Sequence, residues 1–254
     1  MWLGLIRLSV NVNKVATLRN SRGGAIPDVV RACQVSIDAG AGGITVHPRA
    51  DERHIRREDT YAIQRAFAGR WGEHLEFNIE GDPRPDWLDM VCELKPQQAT
   101  LVPVRPGEIT SEAGWNPASD GELLRASVAR IKAAGVRASV FIDPNEKAVC
   151  FAKDCGADRI ELYTEPFARS YDRGDEAALQ SFNVYAQAAS LAHSLGLGIN
   201  AGHDLDLDNL QLFAGLPHLD EVSIGHAIMS DALFRGLEAV VQDYLDVLNL
   251  DVDR

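Results

Sequence analysis

The chain has 254 residues, 46% of them hydrophobic and 24% charged, with a formal net charge of −12. That is enough apolar material for one large core or two small ones, and Gly and Pro usage is ordinary, which argues against disorder. The acidic balance argues against nucleic acid or an anionic membrane as a partner.

The four cysteines, Cys33, Cys92, Cys150 and Cys155, form no C-x-x-C pair and have no zinc-finger spacing. They read as small buried thiols of a reduced, cytoplasmic protein. The first thirteen residues turn polar too soon for a signal peptide, and no run approaches the roughly 18 apolar residues of a membrane span.

Along the chain, short β-branched runs alternate with longer runs of helical period. Strands are predicted over residues 5–13, 43–47, 75–80, 99–104, 137–143, 159–164, 197–203 and 221–226. Helices are predicted over 27–39, 57–68, 85–94, 119–134, 145–155, 175–195, 207–214 and 230–248. The first helix opens on Pro27, and others stop at Gly135, Gly156 and Gly196, as left-handed C-terminal caps do. The last carries the stripe Leu233, Phe234, Leu237, Val240, Val241, Tyr244, Leu245 and Leu248, more than one barrel face needs. Eight strands alternating with eight helices predict an α/β fold, a closed (β/α)8 barrel forming one domain over residues 1–254. An open doubly wound sheet is the competitor. However, the first strand ends in Asn11-Val12-Asn13-Lys14, without a G-x-G-x-x-G phosphate fingerprint.

Barrel enzymes build their sites at the C-terminal ends of the strands. Residues 43–57 show what such an end looks like here. Ile44, Thr45 and Val46 form a buried strand that stops at His47-Pro48 and releases Arg49, Arg53, His54, Arg56 and Arg57. A cationic, titratable loop at that end suits an anionic substrate; a solvated loop balanced by Asp51, Glu52, Glu58 and Asp59 is the plainer reading. The other strands deliver Asn11, Asn13 and Lys14, then Asn78 and Glu80, Asp143, Glu161 and Thr164, Asn200 and His203, and Ser223 and His226.

Four of seven histidines, His47, His54, His203 and His226, fall at or just after strand ends. Glu76 and Glu161 sit in apolar strand contexts, where a carboxylate is costly unless it is paired or functional. Either could instead join an inward arginine in a structural ion pair. Gly202 and Gly225 follow the last two strands, where barrels often hold phosphate against a helix N-terminus; tight turns are the alternative. No H-x-H or H-E-x-x-H is present, and arginines flank two of the histidines, so no metal site is expected.

The segments NVNKVATLRNSRG (11–23), GITVHPR (43–49), RHI (53–55), NAGH (200–203) and IGHA (224–227) resemble the pyridoxine 5′-phosphate synthase family over residues 5–247. The resemblance implies a TIM barrel with additional helices, assembled as a homo-octamer in the cytoplasm. It also implies a transferase-class reaction in vitamin B6 biosynthesis. That reaction condenses 1-deoxy-D-xylulose 5-phosphate with 3-amino-2-oxopropyl phosphate to pyridoxine 5′-phosphate, phosphate and water, and uses no metal or cofactor. By the same resemblance His47, Glu76 and His203 are catalytic. Arg49, His54 and Thr110 contact the xylulose phosphate, and Asn11, Arg22, Gly225 and His226 contact the aminoketone phosphate.

Two departures stand out. The family's common N-x-D-H is replaced by Asn13 and Lys14, which still bind hydroxyls and anions but remove a histidine. The frequent glycine after NAGH is Asp204, whose carboxylate should turn away from phosphate and leave its backbone N–H. Building a pyridine ring needs repeated proton transfer rather than a nucleophile or metal, which fits histidines and buried carboxyls. The expected division gives Glu76 the carbon-bound protons, His47 the imine and dehydration steps, and His203 the departing hydroxyl. A phosphosugar aldolase is the rival reading, but strands six to eight carry no Schiff-base lysine. A barrel that only binds a phosphorylated metabolite would need no opposed histidines. A metal-dependent hydrolase is a third reading, one that elemental analysis of the purified protein would settle.

Overall fold

The computed structural model describes residues 5–72, 74–105 and 113–249. Eight parallel strands close in sequence order: β1 (Arg7–Asn11), β2 (Gly43–Val46), β3 (Glu76–Gly81), β4 (Gln98–Leu101), β5 (Arg137–Ile142), β6 (Arg159–Tyr163), β7 (Gly198–Gly202) and β8 (Leu219–Ile224). β1 pairs with both β2 and β8, which closes the (β/α)8 TIM barrel.

Successive side chains on a strand face opposite sides, and here the two sides differ in chemistry. Leu8, Val10, Ile44, Val46, Phe77, Ile79, Val140, Ile160, Leu162 and Val222 are fully buried in one apolar core, the packing of strands against helices. The alternate positions face the barrel axis and are largely polar. Ser9 Oγ and Thr45 Oγ1 are 2.7 Å apart, Asn78 Nδ2 donates to Thr45 Oγ1, and Thr100 Oγ1 donates to Asn78 Oδ1 at 3.0 Å. This chain of bonds crosses the barrel at mid-height and offsets the desolvation of its members.

The N-terminal end of the barrel is filled by charge. Glu76 Oε2 accepts from Arg7 Nη1 at 2.7 Å and also pairs with Arg137. Arg159 Nη1 donates to Asn200 Oδ1 at 2.6 Å, and Asn200 Nδ2 donates to Glu221 Oε1.

The predicted helices form, with changes at the ends where the site lies. The first strand stops at Asn11 rather than at residue 13, because Asn11 Oδ1 accepts the Asn13 N–H at 3.0 Å and turns the chain into the helix Asn13–Asn20. A second unpredicted helix, Glu165–Tyr171, opens on Pro166 directly after β6. The expected helix 207–214 shrinks to Leu210–Phe213. The long helix predicted over 230–248 is two: His226–Arg235 and Leu237–Asn249, broken at Gly236, whose φ of 86° is left-handed. The first of these therefore begins four residues earlier than expected, at the rim after β8. No described helix is long and apolar enough to cross a membrane.

Candidate active site

A cavity of about 720 Å³ opens at the C-terminal ends of the strands. Its wall includes His47 after β2, Glu80 of β3, Glu161 of β6, His203 after β7, and Gly225 with His226 after β8. Glycine makes room at two points. A Cβ on Gly202 would stand 2.6 Å from Glu161 Oε1, and one on Gly225 would stand 2.8 Å from the Asn11 carbonyl. Neither position accepts a larger residue without moving a wall of the cavity.

Two buried polar atoms in this wall, His47 Nε2 and Glu161 Oε2, have no hydrogen-bond partner among the described residues. Burial holds His47 well below the usual histidine range, and His54, Arg49 and Arg84 push the same way. It is therefore a neutral imidazole at pH 7, able to accept a proton. Burial lifts Glu161 to about 7, against the opposing pull of His203 and Thr100. Glu80 is raised as well, by burial and by Glu161. His47 Nδ1 lies 3.8 Å from Glu80 Oε2, too far for a hydrogen bond, and the imidazole is uncharged, so this is no ion pair. Two carboxyls and a neutral imidazole poised in one buried wall are what repeated proton transfer near pH 7 requires.

The opposite requirement, holding anions, is met at the rim. Arg49 is buried, Lys14 and Arg53 join it on the wall, and His54 sits beside them. His54 Nδ1 accepts the Ile55 N–H at 2.9 Å, so its neutral form carries the ring proton on Nε2. Burial, Arg49 and Lys14 lower it to about 4, which makes it a neutral donor at pH 7. This loop is held by a buried fork. Arg19 Nη1 and Nη2 donate to Asp59 Oδ1 and Oδ2 at 2.5 and 2.8 Å, and Asn20 Nδ2 donates to the His54 carbonyl at 2.7 Å. Across the cavity, the helix His226–Arg235 starts directly after Gly225, presenting its first-turn N–H groups and positive dipole end. Among the described residues no three His, Cys, Asp or Glu side chains converge to hold a metal ion.

A family profile described as "Pyridoxal phosphate biosynthesis protein PdxJ" matches residues 8–250. The chain belongs to the PdxJ family. A Porphyromonas gingivalis protein named pyridoxine 5′-phosphate synthase is 51% identical over 247 residues, covering 97% of this chain and all of that one. One of the same name from Christiangramia forsetii is 49% identical over 245 residues, covering 96% and 100%. Among solved structures, phosphoribosyl anthranilate isomerase from Thermus thermophilus superposes with a TM-score of 0.58 at 13% identity, covering 96% and 99%. A 4-hydroxy-2-oxoglutarate aldolase gives 0.62 at 16% identity, covering 95% and 93%. At these identities what the two structures share with this chain is the barrel.

Within this PdxJ chain the residues expected from sequence divide. His47, His203, Asn11, Asn13, Lys14, Arg49, His54, Asp204, Gly225 and His226 all line the one cavity. Thr110 lies outside the described residues. Arg22 is exposed beyond the helix Asn13–Asn20 and is not part of this wall.

Glu76 is a correction. The β2–β3 register sets Gly43 beside Glu76 and Val46 beside Ile79, which brings His47 level with Glu80. Glu76 is thus four residues deeper, about 13 Å along the strand, 2% exposed and ion-paired to Arg7 and Arg137. It is the structural ion pair that the sequence reading held as the alternative, and it does not fit proton abstraction in the cavity. The strand carboxyls that line the cavity are Glu80 and Glu161. Counting inward positions at intervals of two from Gly43 and from Glu76 would have matched His47 with Glu80.

Asn13, on the cavity wall, also has a structural task. Its Oδ1 accepts the His47 backbone N–H at 2.9 Å, so it fixes the histidine at the rim. Asp204 turns its carboxylate onto its neighbour, His203. Arg56 and Arg57 open the helix Arg57–Ala66 on the outer face.

Proposed function

We propose that this protein is a pyridoxine 5′-phosphate synthase that condenses 1-deoxy-D-xylulose 5-phosphate with 3-amino-2-oxopropyl phosphate by acid–base catalysis. The observation that carries the reading is the pair of unpartnered buried atoms, His47 Nε2 and Glu161 Oε2, in a cavity rimmed by separate anion-holding groups. An unpaired buried polar atom is costly unless something else satisfies it, and a substrate rich in hydroxyl, carbonyl and amine groups would do so. Membership of the PdxJ family supports the same reading.

The proposed roles follow from the protonation states. Neutral His47 accepts and returns protons during imine formation and dehydration. Glu161, poised at about 7, exchanges the carbon-bound protons, the role that sequence reading gave to Glu76. Glu80 shares the buried negative charge with Glu161, so that one of the two stays protonated. His203 protonates the departing hydroxyl. Arg49, His54 and Lys14 hold the phosphate that leaves and stabilise its growing charge. The Gly225–His226 helix start and Asn11 hold the phosphate that stays. We extend the proposal to a cytoplasmic homo-octamer, supported by the exposed Leu233 and Phe234 (70% and 88%), which light scattering on the purified protein tests.

The decisive experiment mixes the protein with both phosphorylated substrates. Pyridoxine 5′-phosphate should appear by its absorbance with phosphate released in equal amount. Phosphate release without the pyridine chromophore, or no reaction, would overturn the reading.

A further inference from the structure

We infer that Asp204 is a positioning residue whose carboxylate accepts a hydrogen bond from the Nδ1–H of His203 and so sets the tautomer and angle of the acid on the β7 wall. The inference rests on the reading of His203 as the proton donor to the departing hydroxyl.

His203 Nδ1 and Asp204 Oδ2 are 2.8 Å apart, and both residues line the cavity. With Nδ1–H donated to a carboxylate, the neutral ring carries its lone pair on Nε2, and the protonated ring offers Nε2–H as the acid. A carboxylate in this place also stabilises the imidazolium, as in hydrolase triads.

The backbone here is built for this contact. His203 and Asp204 both have left-handed φ, 91° and 59°, a conformation strained for any residue with a Cβ. Glycine would occupy Asp204's position without strain, yet a carboxylate stands there. The strained pair is braced from two sides. Thr164 Oγ1 donates to the Gly202 carbonyl at 2.7 Å and also to that of His203. Asn209, itself buried, donates from Nδ2 to the Asp204 carbonyl at 3.1 Å while its Oδ1 accepts the Asp206 N–H. The Tyr163 ring stands edge-on to His203, with centroids 5.2 Å apart.

The remaining charges fit. The hydrogen bond from His203 holds Asp204 below the usual carboxylate range, and His226 and Lys14 assist. Glu161, from β6, faces the same imidazole. When the His203 ring is protonated, the pair carries no net charge and does not oppose a phosphate in the cavity.

The test compares wild type with Asp204→Gly and Asp204→Asn. Glycine relieves the left-handed strain, so the first variant folds. Solid-state 15N spectra of histidine-labelled protein, assigned with His203→Gln, read the ring nitrogens without any substrate. In the wild type at pH 7.5, Nδ1 of His203 should be protonated; in Asp204→Gly it should lose that proton to the Nε2–H tautomer. With both phosphorylated substrates, Asp204→Gly should lose about 10- to 100-fold in kcat, the worth of a charge-assisted hydrogen bond, with each KM within about twofold. Asp204→Asn, which keeps an acceptor but no charge, should fall between. An unchanged tautomer in Asp204→Gly, or an unchanged kcat, overturns the inference. A wild type that forms no pyridoxine 5′-phosphate overturns the reaction instead, while the nitrogen spectra still report on the pair.

Discussion

Replacing Glu161 by Gln should stabilise the protein at alkaline pH and scarcely at acid pH. The carboxyl is 4% exposed and titrates at about 7 in the folded protein, against 4.5 when unperturbed. Each tenfold change in proton affinity is worth about 1.4 kcal/mol. The folded form binds the proton more tightly, so the stability this group contributes is complete below pH 4.5 and is lost as pH rises through 7. Gln carries no titrating proton and escapes that loss. Between pH 5 and pH 8 the variant should therefore gain on the wild type by about 2–3 kcal/mol. At pH 8 this corresponds to a midpoint raised by about 5–10 °C. The assay is urea unfolding of both proteins at the two pH values, followed by tryptophan fluorescence at one fixed protein concentration, because any assembly makes stability concentration-dependent. The same variant should lose turnover. An equal difference at pH 5 and pH 8 would mean that Glu161 is already ionised at pH 5, and its role as a proton carrier near neutrality would fall.

Glu76→Gln should act at the other end of the barrel. Removing the charge that Arg7 and Arg137 share should lower stability by about 2–3 kcal/mol, less than a fully buried pair because both arginines are a third exposed. kcat at 25 °C should stay within a few-fold of wild type. A variant that unfolds like wild type but loses turnover a hundredfold would return the base to Glu76. Arg19→Ala should break the fork to Asp59, both partners buried, at a cost of about 3–5 kcal/mol in urea unfolding. By loosening the His54 loop it should also raise the KM for the xylulose phosphate more than that for the aminoketone. Equal effects on both KM values would show that the fork does not position the rim.

The barrel was legible because its signal is repeated. Eight β-branched runs ending in polar residues and eight helical stripes agree with one another, so slips of up to four residues at element ends did not change the fold. The rim histidines were legible for a related reason: once the strands were placed, His47, His203 and His226 could fall only at the C-terminal side. The helix Asn13–Asn20 was not legible, because one hydrogen bond, Asn11 Oδ1 to the Asn13 N–H, decides it against a sequence that reads as continued strand.

By itself, the sequence determined the barrel, the family and the side of the sheet on which the chemistry lies, since these depend on local period and on motifs contiguous in the chain. Tertiary structure alone decided which carboxyl serves the cavity. Glu76, Glu80 and Glu161 all sit on inward-facing strand positions, and only the register between strands and the arginines arriving from β1 and β5 separate them. Protonation state is decided at the same level. It depends on burial and on charges brought together from distant segments, as when Glu161, 81 residues away in the chain, raises Glu80 in a shared wall.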